Sequence, residues 1–246
     1  MRKKQFDLNR PALIIPLLNE VQAFPLVFEK LQDHWKRQLV AVDNGSIDGT
    51  WEWLRDNQIN TVRENRKGYG AACFAGVQEA HKLGFKTIIF MDGDGSDSEK
   101  SLDNIEEHLK KNPNHFIFTR RTPHSGPWHA MFGTQLLLIT VWILWKTRFL
   151  DMGPMRGMSI QSLEQVGMTD RAYGWTLEMQ IRVVQLGLPF FELGVISFPR
   201  IAGKSKISGT LWGSLQATRC LMSHIIKLKV KEIFTKKSKK LVHDIN

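Results

Sequence analysis

The chain has 246 residues, 42% of them hydrophobic, which supports one sizeable α/β core with at most a small appendage and excludes two full domains. A formal net charge of +10 favours partners that carry phosphate: nucleotides, anionic lipid or nucleic acid. The two cysteines, Cys73 and Cys220, sit in no metal-ligand spacing, which fits a reducing compartment and argues against a disulfide scaffold.

In chain order, a basic start at residues 1–4 leads to a short apolar run, 12–18, that Pro16 breaks and Asn19-Glu20 ends, a poor signal peptide. From 12 to about 119, apolar runs alternate with amphipathic segments, the pattern of βα units feeding a mostly parallel sheet. Strands are expected over 12–17, 39–43, 60–63, 87–91 and 114–119, and helices over 22–38, 50–57, 69–83 and 98–111. Open sheets of this kind bind ligands beyond the carboxyl ends of their strands. The stretch 120–128 reads as a loop, followed by a partly exposed, tryptophan-bearing helix ending near Trp145. The longest apolar run, 136–145, falls short of the roughly 20 residues that a spanning helix needs, so membrane contact is expected to lie along the surface. Further strands are expected over 151–159 and 189–199, with a helix over 175–186 between them and a basic loop over 200–208 after them. From 211 to about 234 one long helix carries Leu221, Ile225 and Leu228 on one stripe, with Met222, Ile226 and Ile233 beside it.

The most informative segment is Ile88-Ile89-Phe90-Met91-Asp92-Gly93-Asp94, a buried-strand run that ends in two carboxylates separated by one glycine. On extended chain, Asp92 and Asp94 share a side, and Gly93 permits close approach to the backbone. Carboxylates so placed suit Mg²⁺ or Mn²⁺, which complete their shells with water and substrate phosphate. A calcium loop starting at Asp92 fails at its sixth position, where Asp97 replaces the required glycine. The segment 42–50, with Asp43, Asn44 and Asp48, has polar groups for a base or ribose and equally forms an ordinary capped turn. The loop 65–72 carries Arg66, Lys67 and glycines at a helix start and suits a diphosphate, but Cys73 stands where a dinucleotide fingerprint needs its third glycine.

Taken together, Pro16-Leu17-Leu18-Asn19-Glu20, residues 42–50, the 68–72 loop, Asp92-Gly93-Asp94, Asp151-Met152-Gly153-Pro154-Met155-Arg156, the 173–180 segment and the 200–208 loop resemble the family 2 glycosyltransferases of GT-A fold. The likeness is to the branch of dolichyl-phosphate mannose synthase and bacterial polyprenyl-phosphate hexosyltransferases. The resemblance implies an α/β GT-A catalytic domain over 1–210, with an interfacial helix at 130–147, and an amphipathic helix with a basic tail over 211–246. It implies that Pro16, Asn19, Glu20, Asp43, Gly68, Asp92 and Gly93 hold a nucleoside-diphosphate sugar, and that Asp94 is the chief metal ligand beside Asp92, with Ser96 or Asp97 as the third. It further implies that Arg121, Arg156, Arg200, Lys204, Ser205 and Lys206 handle donor and acceptor phosphates, partly from a closing loop, with Asp151 and Glu178 at the acceptor. Two departures matter: Ser96 stands where many relatives have a metal-binding glutamine, and Asn44 replaces the commoner second aspartate of the nucleoside motif.

The implied reaction moves a hexose to a polyprenyl phosphate. That acceptor's oxygen is already anionic near neutral pH, so no general base is required. A saccharide acceptor would need a carboxylate base, for which Asp151 and Glu178 are the candidates. Contact with an anionic membrane surface is expected from 136–145 and from the lysine-rich stretch 227–240, placing the protein peripherally at the cytoplasmic face. A nucleic-acid partner is not expected, since no RNA- or DNA-binding motif accompanies the basic charge.

Overall fold

A computed structural model describes residues 6–122, 128–202 and 211–243, with side chains described up to residue 235. Lys204, Ser205 and Lys206 lie outside the described residues, as does the basic start at 1–4, and the side chains of the tail lysines beyond residue 235 are likewise outside them. Among the described residues, seven strands form one sheet in the order β3-β2-β1-β4-β6-β5-β7. They are β1 (Ala12–Leu17), β2 (Leu39–Asp43), β3 (Thr61–Arg63), β4 (Thr87–Phe90), β5 (Phe116–Arg121), β6 (Arg156–Ser159) and β7 (Phe190–Val195).

Strand alternation divides the apolar residues between two faces. On one face Ala12, Ile14, Val40, Val42, Ile88 and Phe90 lie under α4 (Tyr69–Lys82), α6 (Trp128–Trp145), α7 (Ile160–Val166), α8 (Trp175–Gln185) and α9 (Leu211–His243). On the other face Leu13, Ile15, Leu17, Ala41, Ile89 and Met91 lie under α1 (Phe24–Lys30), α2 (Asp33–Gln38), α3 (Thr50–Asp56) and α5 (Ser101–Lys111). The single helix expected over 22–38 is two helices, because Leu31 is extended at φ −62°, ψ 135°. That break lets both Leu31 and Trp35 reach the core. The helix α7 has a local signature of its own: the Ser159 hydroxyl accepts from the Ser162 N–H, and Gly167 ends the helix at φ 64°.

Two features position the site. The ladder between β1 and β4 runs only to Ile14↔Phe90. Pro16 has no N–H with which to extend it, so the strand ends part and leave a crevice where the connection order reverses. β6 is also inverted, running antiparallel to both β4 and β5, with Arg156 opposite Phe90 and Phe118. An inverted strand starts where its parallel neighbours finish. The strand expected over 151–159 is therefore a loop as far as Met155, which wraps the end of β5: Gly153 N–H donates to Thr119 O, and the Thr119 hydroxyl donates to Met155 O.

On the helical face, α9 packs along α6 and inserts Ile225 and Leu228 into the core, while Ile226 and Ile233 of the expected second stripe point outward. α6 has 18 residues and is long and apolar enough, by length and composition, to cross a membrane, which exceeds the run read from the sequence. It buries Leu137, Leu138 and Val141 against the protein.

Candidate active site

Three turns build one wall of the crevice. After β1, Asn19 takes a left-handed conformation at φ 52°. Its N–H donates to the Ser46 hydroxyl at 2.9 Å, and its side-chain oxygen accepts from Ile47 N–H at 2.9 Å. Glu20 N–H donates to the Thr50 hydroxyl at 2.9 Å, and Val21 N–H to Asp48 at 3.1 Å. The turn after β1 is thus laced to the turn after β2. Asp43 is buried, accepts from Gly45 and Ser46 N–H, and faces Arg63 at 3.6 Å. Asn44 joins the third turn: its amide donates to Glu64 O and Arg66 O and accepts from Gly68 N–H. An aspartate could make only the last of these bonds, which gives the departure at residue 44 a physical reason.

The expected diphosphate site at the start of α4 is built differently. Its first-turn amides, Gly70 N–H and Ala71 N–H, already donate to Ala172 O and Arg171 O. A side chain at Gly68 would meet Arg171 O at 2.2 Å. Gly68 and Gly70 are packing glycines against the 169–174 loop, and the helix dipole is answered by protein carbonyls.

The acidic corner follows β4. Gly93 packs on β1, where an added Cβ would lie 2.2 Å from Leu17, so the close approach foreseen at this glycine is made by a core side chain. Asp92 accepts from the Tyr69 hydroxyl at 3.2 Å, and Asp97 accepts from Asp92 N–H at 3.0 Å. Asp94 accepts from Ser96 N–H at 2.9 Å and pairs with Arg200 at 2.8 Å. Burial and the charge of Asp94 push Asp92 up to about 7, and burial with the charge of Asp92 pushes Asp97 well above the carboxylate range. One oxygen of Asp97, Oδ1, is buried with no hydrogen-bond partner among the described residues.

Cations form the second wall. Arg121 makes a two-pronged pair with Asp151, both contacts at 2.8 Å, and its N–H donates to the same carboxylate at 2.9 Å. Arg156 is buried and donates to Gly153 O and Thr176 O. Burial lowers it to about 10, so it stays cationic at neutral pH, and its Nη2 has no hydrogen-bond partner among the described residues. Arg200 binds both oxygens of Glu20, at 2.9 and 3.0 Å.

The structure brings Asp92, Asp94, Asp97, Arg121, Arg156, Arg200 and Glu20 together. Asp151 and Glu178, considered as bases for a saccharide acceptor, have other engagements. Asp151 clamps Arg121, and Glu178 is fully buried, accepting from Thr169, Asp170 and Arg182. Glu178 thereby orders the 169–174 loop behind Gly68. Two contributors escaped the sequence reading: Tyr69 holds Asp92, and Gln180 donates to Asp151 O at 2.9 Å, while Glu20, expected at the nucleoside, also pairs with Arg200 across 180 residues of chain. Only Tyr69 had a usable signal, as the residue that opens α4 immediately after Gly68.

The acidic corner fits a hard divalent cation. It brings the carboxyls of Asp92, Asp94 and Asp97 into one turn, one with a partnerless buried oxygen and one pushed up by burial and by the charge of Asp94, a crowding that a dication would relieve. Among the described residues no three carboxylate, histidine or cysteine side chains already stand together as a ligand cage. Mg²⁺ and Mn²⁺ sites commonly use one or two carboxylates and complete the shell with phosphate and water.

Comparison with known proteins agrees with this architecture. The chain is 32% identical over 208 residues to an uncharacterised glycosyltransferase of Mycobacterium tuberculosis, covering 83% of this chain and 93% of the relative. It is 26% identical over 228 residues to an undecaprenyl-phosphate mannosyltransferase of Micrococcus luteus, covering 83% and 90% of the two chains. A polyprenol monophosphomannose synthase of Mycolicibacterium smegmatis is 23% identical over 218 residues, with 82% of each chain covered. In fold, the chain is similar to glucosyl-3-phosphoglycerate synthase of Mycobacterium tuberculosis, crystallised with Mn²⁺, uridine diphosphate and glucosyl-3-phosphoglycerate, with TM-score 0.72 at 15% identity over 89% of this chain and 79% of that one. The family model described as glycosyl transferase family 2 matches residues 12–165, and with the crevice, the acidic corner and the order of the turns in agreement, the chain belongs to that family and is a glycosyltransferase.

Proposed function

We propose that the protein is an inverting hexosyltransferase that moves a sugar from a nucleoside-diphosphate donor to a polyprenyl phosphate. The observation that carries this reading is the acidic corner, Asp92 with Asp94, facing Arg121, Arg156 and Arg200 across the strand-end crevice. Two relatives whose names state a polyprenyl-phosphate or polyprenol acceptor support the acceptor class.

In this reading the turns bearing Asn19, Glu20 and Asp43 seat the nucleoside, and the arginines bear the phosphates of donor and acceptor. Asp92 and Asp94, with Asp97 in preference to Ser96, hold a Mg²⁺ or Mn²⁺ ion, which when bound supplies Lewis-acid stabilisation to the departing diphosphate. The acceptor phosphate oxygen forms a bond to the anomeric carbon as the bond to the diphosphate breaks. The bonding pair leaves with the nucleoside diphosphate, and single displacement inverts the centre. No proton transfer is needed, which agrees with Asp151 and Glu178 being engaged in buried ion pairs. What these residues supply is aim and charge: Arg121 is fixed by Asp151, and Asp92 by Tyr69.

The acceptor in this reading is a membrane lipid, reached from the cytoplasmic face, and the outer faces of α6 and α9 support peripheral docking. Trp128, Phe132, Ile139, Trp142 and Ile143 on α6, with Trp212, Leu215, Val230 and Phe234 on α9, are all exposed. A groove of about 320 Å³ on α6 is lined by Leu138, Ile139, Trp142 and Phe149 with Arg148 at its rim, an apolar body beside a cation that suits an anionic bilayer. Residues 1–210 are read as the catalytic domain and 211–246 as the appended helix and tail. The test is incubation with a panel of labelled sugar nucleotides, Mn²⁺ and undecaprenyl or dolichyl phosphate. Label should pass into organic solvent for one donor, and label moving only into a water-soluble saccharide would overturn the lipid acceptor.

A further inference from the structure

Arg200 does not reach the acidic corner by chance of a flexible side chain. Its backbone is laid along the turn after β4: Phe198 N–H donates to Ser96 O at 2.9 Å, Ile201 N–H donates to Asp94 O at 3.0 Å, and Ser197 bridges Asp97 in antiparallel fashion. Gly95 makes room for this, since a Cβ there would lie 2.3 Å from Ile201 Cδ1. The guanidinium is consequently held between two carboxylates from opposite lips of the crevice. Nη1 contacts both oxygens of Glu20 at 2.9 and 3.0 Å, and Nη2 contacts Asp94 Oδ2 at 2.8 Å. Asp94 Oδ1 is engaged by Ser96 N–H.

We propose that Arg200 is the resident counter-ion of Asp94 in the substrate-free protein and competes with the divalent cation for the same carboxylate oxygen. This rests on the reading above that Asp94 is a metal ligand. A guanidinium at hydrogen-bond distance from Oδ2 and a dication bonded to that oxygen would be two positive centres within about 4 Å, a strongly repulsive arrangement in a partly desolvated crevice. Loading therefore moves Arg200 off Asp94. Glu20 keeps a fork of the guanidinium on the far lip, which limits the movement to a pivot and leaves Nη2 directed into the crevice with no carboxylate opposite it. Substrate phosphate is the anion that meets it there. The arginine thus carries two successive duties: it neutralises Asp94 before loading, and it then takes a phosphate once the metal has relieved it.

The test is Mn²⁺ binding to the full-length protein without nucleotide, read by the loss of the free Mn²⁺ paramagnetic resonance signal, with a thermal melt for each variant. Arg200→Ala should bind Mn²⁺ about tenfold more tightly than the unsubstituted protein, because a competing charge of ion-pair strength has been removed. Arg200→Gln, which keeps length and drops charge, should do the same, and Arg200→Lys should retain the weaker binding. With UDP or GDP present the gain should shrink, since the phosphate contact is lost too. Unchanged or weaker Mn²⁺ binding in both neutral variants overturns the competition while leaving the metal site intact. Failure of the unsubstituted protein to bind Mn²⁺ with either nucleotide overturns the metal site as well.

Discussion

The two walls of the crevice are made of different material. On the β1–β2 side, Asn19, Asp43, Asn44 and Asp48 bond to neighbouring backbone, and the wall is a shape fixed by knitted turns. On the β5–β6 side, Arg121 and Arg156 stand on buried side-chain links to Asp151, Gly153 and Thr176, and the wall is a charge fixed by its partners. The difference teaches that damage to the first wall should be felt in folding and donor binding together. Damage to the second should be felt in the charge presented to the crevice and in the buried pairs that hold it.

The largest effect is expected where the walls meet. Asp94→Ala should reduce transfer by about 10³-fold or more, with a melting temperature close to that of the parent, as judged by label extracted into solvent and by calorimetry. A fully active Asp94→Ala protein removes the acidic corner from the reaction. On the charged wall, Asp151→Asn should cost about 3 kcal/mol in denaturant unfolding, since it strands the Arg121 guanidinium. The shape of the pH–rate profile should not change, and loss of its acidic limb would return Asp151 to the role of base.

Behind the shaped wall, Glu178→Gln should cost about 2 kcal/mol at pH 7. Burial pushes this carboxylate up, but the Thr169 hydroxyl, Asp170 N–H and Arg182 more than offset that and hold it below the usual range. A depressed folded-state value means the stabilisation is present above the unfolded value of about 4.3 and is lost as pH falls through the folded one. The variant's stability should accordingly fall less steeply with acid than the parent's, and an identical slope in melts from pH 7 to 3 would count against the ion pair. The smallest effect belongs to the outer face. Replacing Trp142 and Trp212 together by Ser should weaken flotation with anionic vesicles about tenfold while shifting stability by less than about 0.5 kcal/mol. Unaltered flotation would move the bilayer contact elsewhere on the protein.

The shaped wall was more legible in the sequence than the charged one, for a physical reason. β1 and β2 are buried on both faces, so their apolar runs start and stop where the strands do, and Asp43 and the Asp92-Gly93-Asp94 corner appear as abrupt polar ends. β5 continues two residues past its expected end at 119, to Arg121, because β7 pairs alongside it over that whole length, a contact that no local pattern announces. The partners Asp151 for Arg121 and Glu20 for Arg200 are set by tertiary approach over 30 and 180 residues. The packing partners of Gly68 and Gly70 were not legible because a glycine opening a helix looks alike whether it admits a phosphate or another loop, and here Arg171 and Ala172 lie against them.

The reversed direction of β6 has a bearing on how such proteins diversify. A parallel strand can offer only the loop that follows it to the binding edge, and in this chain the turns after β1, β2 and β3 are mutually tied. The inverted strand instead offers the segment that precedes it, residues 151–155, anchored to Thr119, to Gln180 and to the clamp at Arg121. In the proposed reading, changes in length or composition there would remodel the pocket for the incoming nucleophile while the cradle for the activated sugar keeps its form, so that one scaffold could serve new recipients without relearning its donor.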